Sequence, residues 1–122
     1  MKYMIMTFGP NAGLEGVAGV SKEWIRQMIQ FMNTLNDDLK KSGELVDAQG
    51  LAWPNQAKTV RFRNGLPVAT DGPFAEAKEG LVGYWIVDVE SEKRAIEIAS
   101  RIVAFVKQSI EVRQVMDAPP EV

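Results

Sequence analysis

Three carboxylates and one lysine crowd the run Asp71-Gly72-Pro73-Phe74-Ala75-Glu76-Ala77-Lys78-Glu79. A carboxylate in an apolar setting can take a proton near neutral pH, and a desolvated lysine amine can attack an electrophilic carbon. Gly72 precedes Pro73, whose ring crowds the backbone before it and disfavours helix. Asp71 can bond its own downstream backbone and set a tight turn, which Phe74 would pin to a core. A rigid turn that presents ionisable groups is a common way to build a site. Asp71 is therefore the candidate proton acceptor or substrate anchor; the plain alternative is a turn residue capping its own backbone. If Asp71 is functional, burial near Phe74 and Tyr84 would raise its pKa, and a nearby cation would lower it. Glu76, Lys78 and Glu79 would line a pocket mouth, with Lys78 as a ligand-binding cation, or else form a solvated charge run.

Other residues could complete a site. Arg61 and Arg113 fall on predicted strands, where a guanidinium facing a cleft forks a carboxylate or phosphate. The alternative is an edge charge that discourages strand-to-strand aggregation, and Arg113 is the better of the two for anion binding. Tyr84 and Trp53 are candidate pocket walls, Trp53 at the rim because it sits in a turn before Pro54. Trp24 and Trp85 lie on apolar faces and read as core or interface. The loop Gly9-Pro10-Asn11-Ala12-Gly13-Leu14-Glu15-Gly16 stands between a strand and a helix, where phosphates bind. It lacks the glycine spacing of a P-loop or a dinucleotide fingerprint, so a lid or simple slack is the better reading. The methionines read as filler.

Composition closes off other chemistry. The chain has no cysteine, hence no disulfide framework, no thiolate nucleophile and no cysteine metal site. It has no histidine, the usual general base near neutral pH and the usual transition-metal ligand. We therefore expect no metal and no cofactor. A net charge of −2 with scattered lysines and arginines argues against a nucleic-acid partner. The apolar run Met4–Phe8 is too short to span a bilayer or serve as a signal peptide, so a cytoplasmic protein with no membrane partner is expected.

The elements that must position these residues follow from periodicity. With 122 residues, 46% apolar and 25% charged, the chain reads as one ordered domain over 1–122. Lys2–Phe8 reads as a strand apolar on both faces, which must be covered on both faces. Gly9–Val20 is a glycine-rich, flexible loop. Ser21–Ser42 is a helix capped by Ser21 and stopped at Gly43, with Trp24, Met28, Phe31, Met32, Leu35 and Leu39 on one stripe. Glu44–Ala52 is a loosely patterned strand, and Trp53-Pro54-Asn55-Gln56 a turn. Lys58–Arg63 and Leu66–Thr70 are joined at Asn64-Gly65, a tight-turn signal. Leu81–Val89 is the longest strand, again apolar on both faces. Ser91 caps a helix from Glu92 to Val106, Ser109–Met116 is the last strand, and Asp117–Val122 is a frayed tail.

This order defines an α+β, ferredoxin-like βαββαβ sandwich, an antiparallel sheet with two helices on one face. Right-handed crossovers place both helices together and leave the other face bare. A wide apolar face calls for a partner, the simplest being a second copy related by a two-fold axis. The expected assembly is thus a homodimer whose two sheets meet face to face.

Asp71–Glu79 followed by Gly80–Glu90 resembles the DGPF subgroup of the YCII-related domain family. Thr59-Val60-Arg61, Gly43-Glu44-Leu45 and Ile110-Glu111-Val112-Arg113 look like the same family, and the match covers nearly the whole chain. The resemblance implies a ferredoxin-like fold and a dimeric α+β barrel. Most members have no assigned reaction. Some relatives are thought to use a His–Asp pair, a few act on small chlorinated or muconate-type lactones, and members often occur beside sigma-factor-like regulators. Asp71 stands at the motif's aspartate, but no histidine can stand beside it here. Arg101–Gln108 lacks the proline and glycine that often follow the second helix, and Gln114 stands where a proline often does. The functional expectation is a dimeric small-molecule-binding protein for a small organic acid. Any weak lyase or isomerase chemistry would run through Asp71, with Arg113, Tyr84, Trp53 and Lys78 around the ligand. The alternative is a non-catalytic interaction or regulatory module.

Overall fold

The computed structural model describes residues 1–13, 20–74 and 78–119. Its elements are β1 (Lys2–Pro10), α1 (Lys22–Ser42), β2 (Leu45–Gly50), β3 (Lys58–Arg63), β4 (Leu66–Asp71), β5 (Glu79–Asp88), α2 (Glu92–Val106) and β6 (Glu111–Gln114). A short 3-10 turn over Pro54–Gln56 separates β2 from β3. Strands β2, β5, β1 and β6, in that order, form a four-stranded sheet, and β3 with β4 forms a separate hairpin. Every pairing is antiparallel. This is the expected α+β, ferredoxin-like arrangement, with β1 and β5 central.

Alternation along the central strands explains the layers. Tyr3, Ile5, Trp85 and Val87 point to one face and are buried with Leu35 and Leu39 of α1 and with Ala95, Ile98, Ala99 and Ile102 of α2. Met4, Met6, Tyr84 and Ile86 point the other way, to a face that carries no helix, and remain half-buried. The helices begin where serine can cap. Ser21 Oγ accepts from Trp24 N (3.0 Å) and Ser91 Oγ from Arg94 N (3.2 Å). Gly43 ends α1 in the left-handed region (φ 79°). Aromatic rings join the helices, Phe105 stacking on Phe31 with centroids 4.7 Å apart and on Trp24 at 6.0 Å. Among the described residues no helix is long and apolar enough to cross a membrane.

Several edges differ from the sequence reading. β1 runs on through Gly9 and Pro10, and β5 starts at Glu79, because Gly9 pairs with Gly80 and Pro10 with Glu79. Residues that read as loop are thus strand, held by ladder bonds that periodicity alone does not reveal. β2 and β6 are shorter than predicted, since only Leu45–Gly50 and Glu111–Gln114 find ladder partners. Of the rest of the predicted loop, residues 14–19 lie outside the described residues.

Glu44, just after α1, receives two parallel bonds from Arg94 on α2, Nε to Oε2 at 2.9 Å and NH2 to Oε1 at 2.8 Å. Arg94 leads the influences that hold this carboxyl below its ordinary range, Ser42 adds a bond, and burial opposes them. A carboxyl lowered in the folded state contributes stability above its unfolded pKa, and that contribution is lost as pH falls through the folded value. Glu44→Gln is therefore expected to cost about 1–3 kcal/mol near neutral pH. The gap to wild type should shrink on acidification, as read from urea melts across acidic pH; a gap independent of pH contradicts the linkage.

Candidate functional site

The Asp-Gly-Pro-Phe bend closes the β3–β4 hairpin at its base. Gly72 sits at φ +93°, a conformation that L side chains rarely adopt. Its N–H donates to Ala57 O (2.8 Å), and its carbonyl accepts from Thr59 Oγ1 (2.7 Å). Thr59 is buried, so this bond holds the bend from inside. Phe74 carries the Arg61 guanidinium 5.8 Å from its ring centroid.

Asp71 is the cross-strand partner of Lys58, and the two side chains form an ion pair. The carboxylate of Asp71 is 91% exposed. Of the two opposed influences foreseen for it, the cation prevails: the Lys58 hydrogen bond, then its charge, lowers the Asp71 pKa, with burial a lesser opposing effect.

Beside the bend lies a groove of about 440 Å³ between the Trp53-Pro54 turn and Pro73-Phe74. Among the described residues, Lys58 and Glu79 are the charged side chains of its lining. Two glycines on the β1–β5 ladder seat the turn. A Cβ on Gly9 would stand 2.9 Å from the Trp53 ring, and a Cβ on Gly80 would stand 2.9 Å from Pro54. Because Gly9 and Gly80 are paired across the strands, they leave one shallow seat into which the turn settles.

A second cavity, of about 530 Å³, opens on the helix side between the first half of α1, the end of α2 and the sheet. Trp24, Trp53 and Trp85, all the tryptophans of the chain, line it, together with Met28, Phe31 and Met32. Among the described residues no charged side chain lines it. Trp53 lines both spaces.

The remaining candidates are dispersed. Tyr84 and Arg113 share the helix-free face, Tyr84 opposite Met6 on β1 and Arg113 opposite Met4. The Tyr84 hydroxyl donates to Asp47 Oδ2 at 3.0 Å; that bond, with burial and the Asp47 charge, raises its pKa. Arg113 donates to Glu111 Oε2 at 2.7 Å and is exposed. Lys78 is exposed beside Glu79, and its carbonyl accepts from Asn11 N at 3.0 Å. Of the sequence candidates, Trp53 lines both spaces and Glu79, foreseen at a pocket mouth, lines the groove; Asp71, Lys78, Tyr84 and Arg113 line neither. Glu76 lies outside the described residues. Sequence reasoning missed Lys58, although counting back from Asn64-Gly65 puts it opposite Asp71. Among the described residues no cluster of three or more carboxylates is placed to hold a metal ion.

Fold and motif together define a small ferredoxin-like domain with a ligand-sized groove at a constrained Asp-Gly-Pro-Phe bend. The chain belongs to the YCII-related domain family, whose pattern matches residues 1–119. It is 30% identical over 79 residues to an uncharacterised protein of Rhizobium meliloti (strain 1021), covering 65% of this chain and 64% of that protein.

Proposed function

We propose that this protein is a homodimeric, small-molecule-binding member of the DGPF subgroup, taking a small organic acid in the groove beside the bend. The observation that carries this reading is the pairing of an apolar, ligand-sized groove with one cationic side chain, Lys58, in its lining. Trp53, Pro73 and Phe74 supply flat apolar walls. An incoming carboxylate competes with Asp71 for the Lys58 ammonium. Because its pKa is lowered, Asp71 is ionised near neutral pH and is a weak base. This favours binding over proton-transfer chemistry and makes Asp71 a counter-ion that a ligand displaces. Tyr84 and Arg113 stand on the face a second copy would cover, so in the dimer they would line the seam between sheets.

A thermal-shift screen of small mono- and dicarboxylic acids near neutral pH tests the reading, since a ligand of the folded state raises its stability. Lys58→Met is expected to weaken the best acid by about 3–10-fold, the value of a partly exposed charge pair. Asp71→Asn is expected to tighten it a few-fold by removing the competitor. Failure of every acid to shift the melt, or indifference to Lys58→Met, sinks the assignment.

One observation favours a second reading, a non-catalytic interaction module. The hairpin shows Val60 and Phe62 on one face at 68% and 78% exposure, an apolar patch suited to a partner protein.

A further inference from the structure

We infer that the cavity between α1, α2 and the sheet is a second binding site, built for a neutral molecule with a flat apolar ring system. This goes beyond the organic-acid reading and rests on different residues. Its volume, about 530 Å³, falls within the range of small-molecule sites. The core beside it is close-packed, with Ile5, Leu35, Ile98 and Val87 fully buried. A void of this size next to such packing leaves its walls without partner atoms, a loss that a ring of matching shape would restore.

The wall chemistry sets the ligand class. Trp24, Phe31 and Trp85 offer ring surfaces, while Met28 and Met32 adapt to irregular shapes. The polar atom of Trp85 is already committed, its Nε1 donating to Asn36 Oδ1 at 2.7 Å. The Thr7 hydroxyl donates to Gly83 O at 3.1 Å. Gln108 and Ser109, exposed just past the end of α2, add polar side chains to the lining. With no charged side chain among the described residues of the lining, an ionised ligand would lose hydration without a counter-charge, whereas a neutral ring with one hydroxyl near Gln108 and Ser109 would not. The groove beside the bend, lined by Lys58 and Glu79, has the opposite preference.

The test is a titration of the intact protein with β-naphthol and, separately, with β-naphthoate near neutral pH, the same ring neutral in one and anionic in the other. The readout is the indole N–H resonances of the three tryptophans, assigned by single Trp→Phe variants. Trp24 and Trp85 line only this cavity, and Trp53 lines both spaces. β-Naphthol is expected to shift Trp24 and Trp85, and to bind at least about tenfold tighter there than β-naphthoate, because burying an uncompensated charge is costly. Met28→Lys places an ammonium at a half-buried wall position where its stem can still reach water. That variant is expected to reverse the preference, and Val106→Phe, which fills the wall, is expected to weaken both ligands. Shifts confined to Trp53 would put the ring in the other groove and overturn the inference. So would equal binding of the two ligands, or a Met28→Lys protein that keeps its fold and the wild-type preference. Because the organic-acid reading is scored with Lys58→Met, the two assignments fail separately.

Discussion

At micromolar concentration the wild-type chain is expected to sediment as a dimer, and the double variant Met6→Lys/Ile86→Lys as a folded monomer. The helix-free face of the sheet is the reason. Its centre is Met4, Met6, Tyr84 and Ile86, and its margins are Asp47 and Gln49 on β2 and Glu111 and Arg113 on β6. An apolar centre with a polar rim is the anatomy of a protein interface. In a two-fold dimer each substituted position is presented by both copies, so the double variant carries four new ammonium groups into one closed seam. Desolvating an unpaired ammonium costs several kcal/mol, so a loss of about 10³-fold or more in dimer affinity is expected. The same positions are only half-buried in the single chain, where lysine can reach water, so the fold should survive. Circular dichroism with sedimentation separates the two effects. The hairpin adds a second reading of the same dimer. Val60, Phe62, Leu66 and Phe74 are each more than 60% exposed in the single chain. If that arm reaches across to the second copy, Phe62→Asp weakens the dimer as well; if it does not, Phe62→Asp leaves sedimentation unchanged. A monomeric wild type ends the dimer proposal outright.

Local signals carried most of the fold. α2 falls on the predicted Glu92–Val106, because Ser91 and the Ala95, Ile98, Ala99, Ile102 stripe mark both its start and its buried face. The hairpin is where Asn64-Gly65 places it, both turn residues having positive φ. What was not legible depends on contacts distant in sequence. Gly9 and Pro10 look like loop residues until Gly80 and Glu79 pair with them. The Glu44–Arg94 clamp joins residues 50 apart, and neither has a local pattern that announces the other. The candidate site was half visible. The bend was found as a motif, and its constraint is real, but the functional weight given to Asp71 presupposed burial. In the single chain its neighbours on the hairpin leave it in water beside Lys58. The ligand-sized spaces could not be read at all, because each is made by residues from several elements that no periodicity brings together. Trp53, singled out for its turn before Pro54, and Glu79, placed at a pocket mouth, are the foreseen residues that line them.

Gly9→Val is expected to cost about 1–3 kcal/mol, the usual penalty for overpacking a filled site, and to remove ligand binding from both spaces at once. The backbone at Gly9 is not in the left-handed region, so the conformation itself accepts a side chain. The obstacle is space. A Cβ there would lie 2.9 Å from Trp53 Cζ3 and 2.9 Å from Val82 Cγ1, closer than carbon atoms approach without something moving. Val82 belongs to the central strand, whereas Trp53 sits on a turn joined to the sheet edge, so the indole is the part that yields. Since Trp53 walls both the groove and the helix-side cavity, its displacement alters both. Gly50→Ala is the control: it meets nothing within 4 Å and is expected to change stability by less than about 0.5 kcal/mol. Trp53→Ala in the Gly9→Val background removes one of the two clashes and should recover part of the lost stability, a coupling that a double-mutant cycle measures directly. Urea melts supply the energies, and the Trp53 indole resonance reports the movement. A Gly9→Val protein of wild-type stability with an unmoved Trp53 resonance would show that the turn is not seated on the Gly9–Gly80 pair.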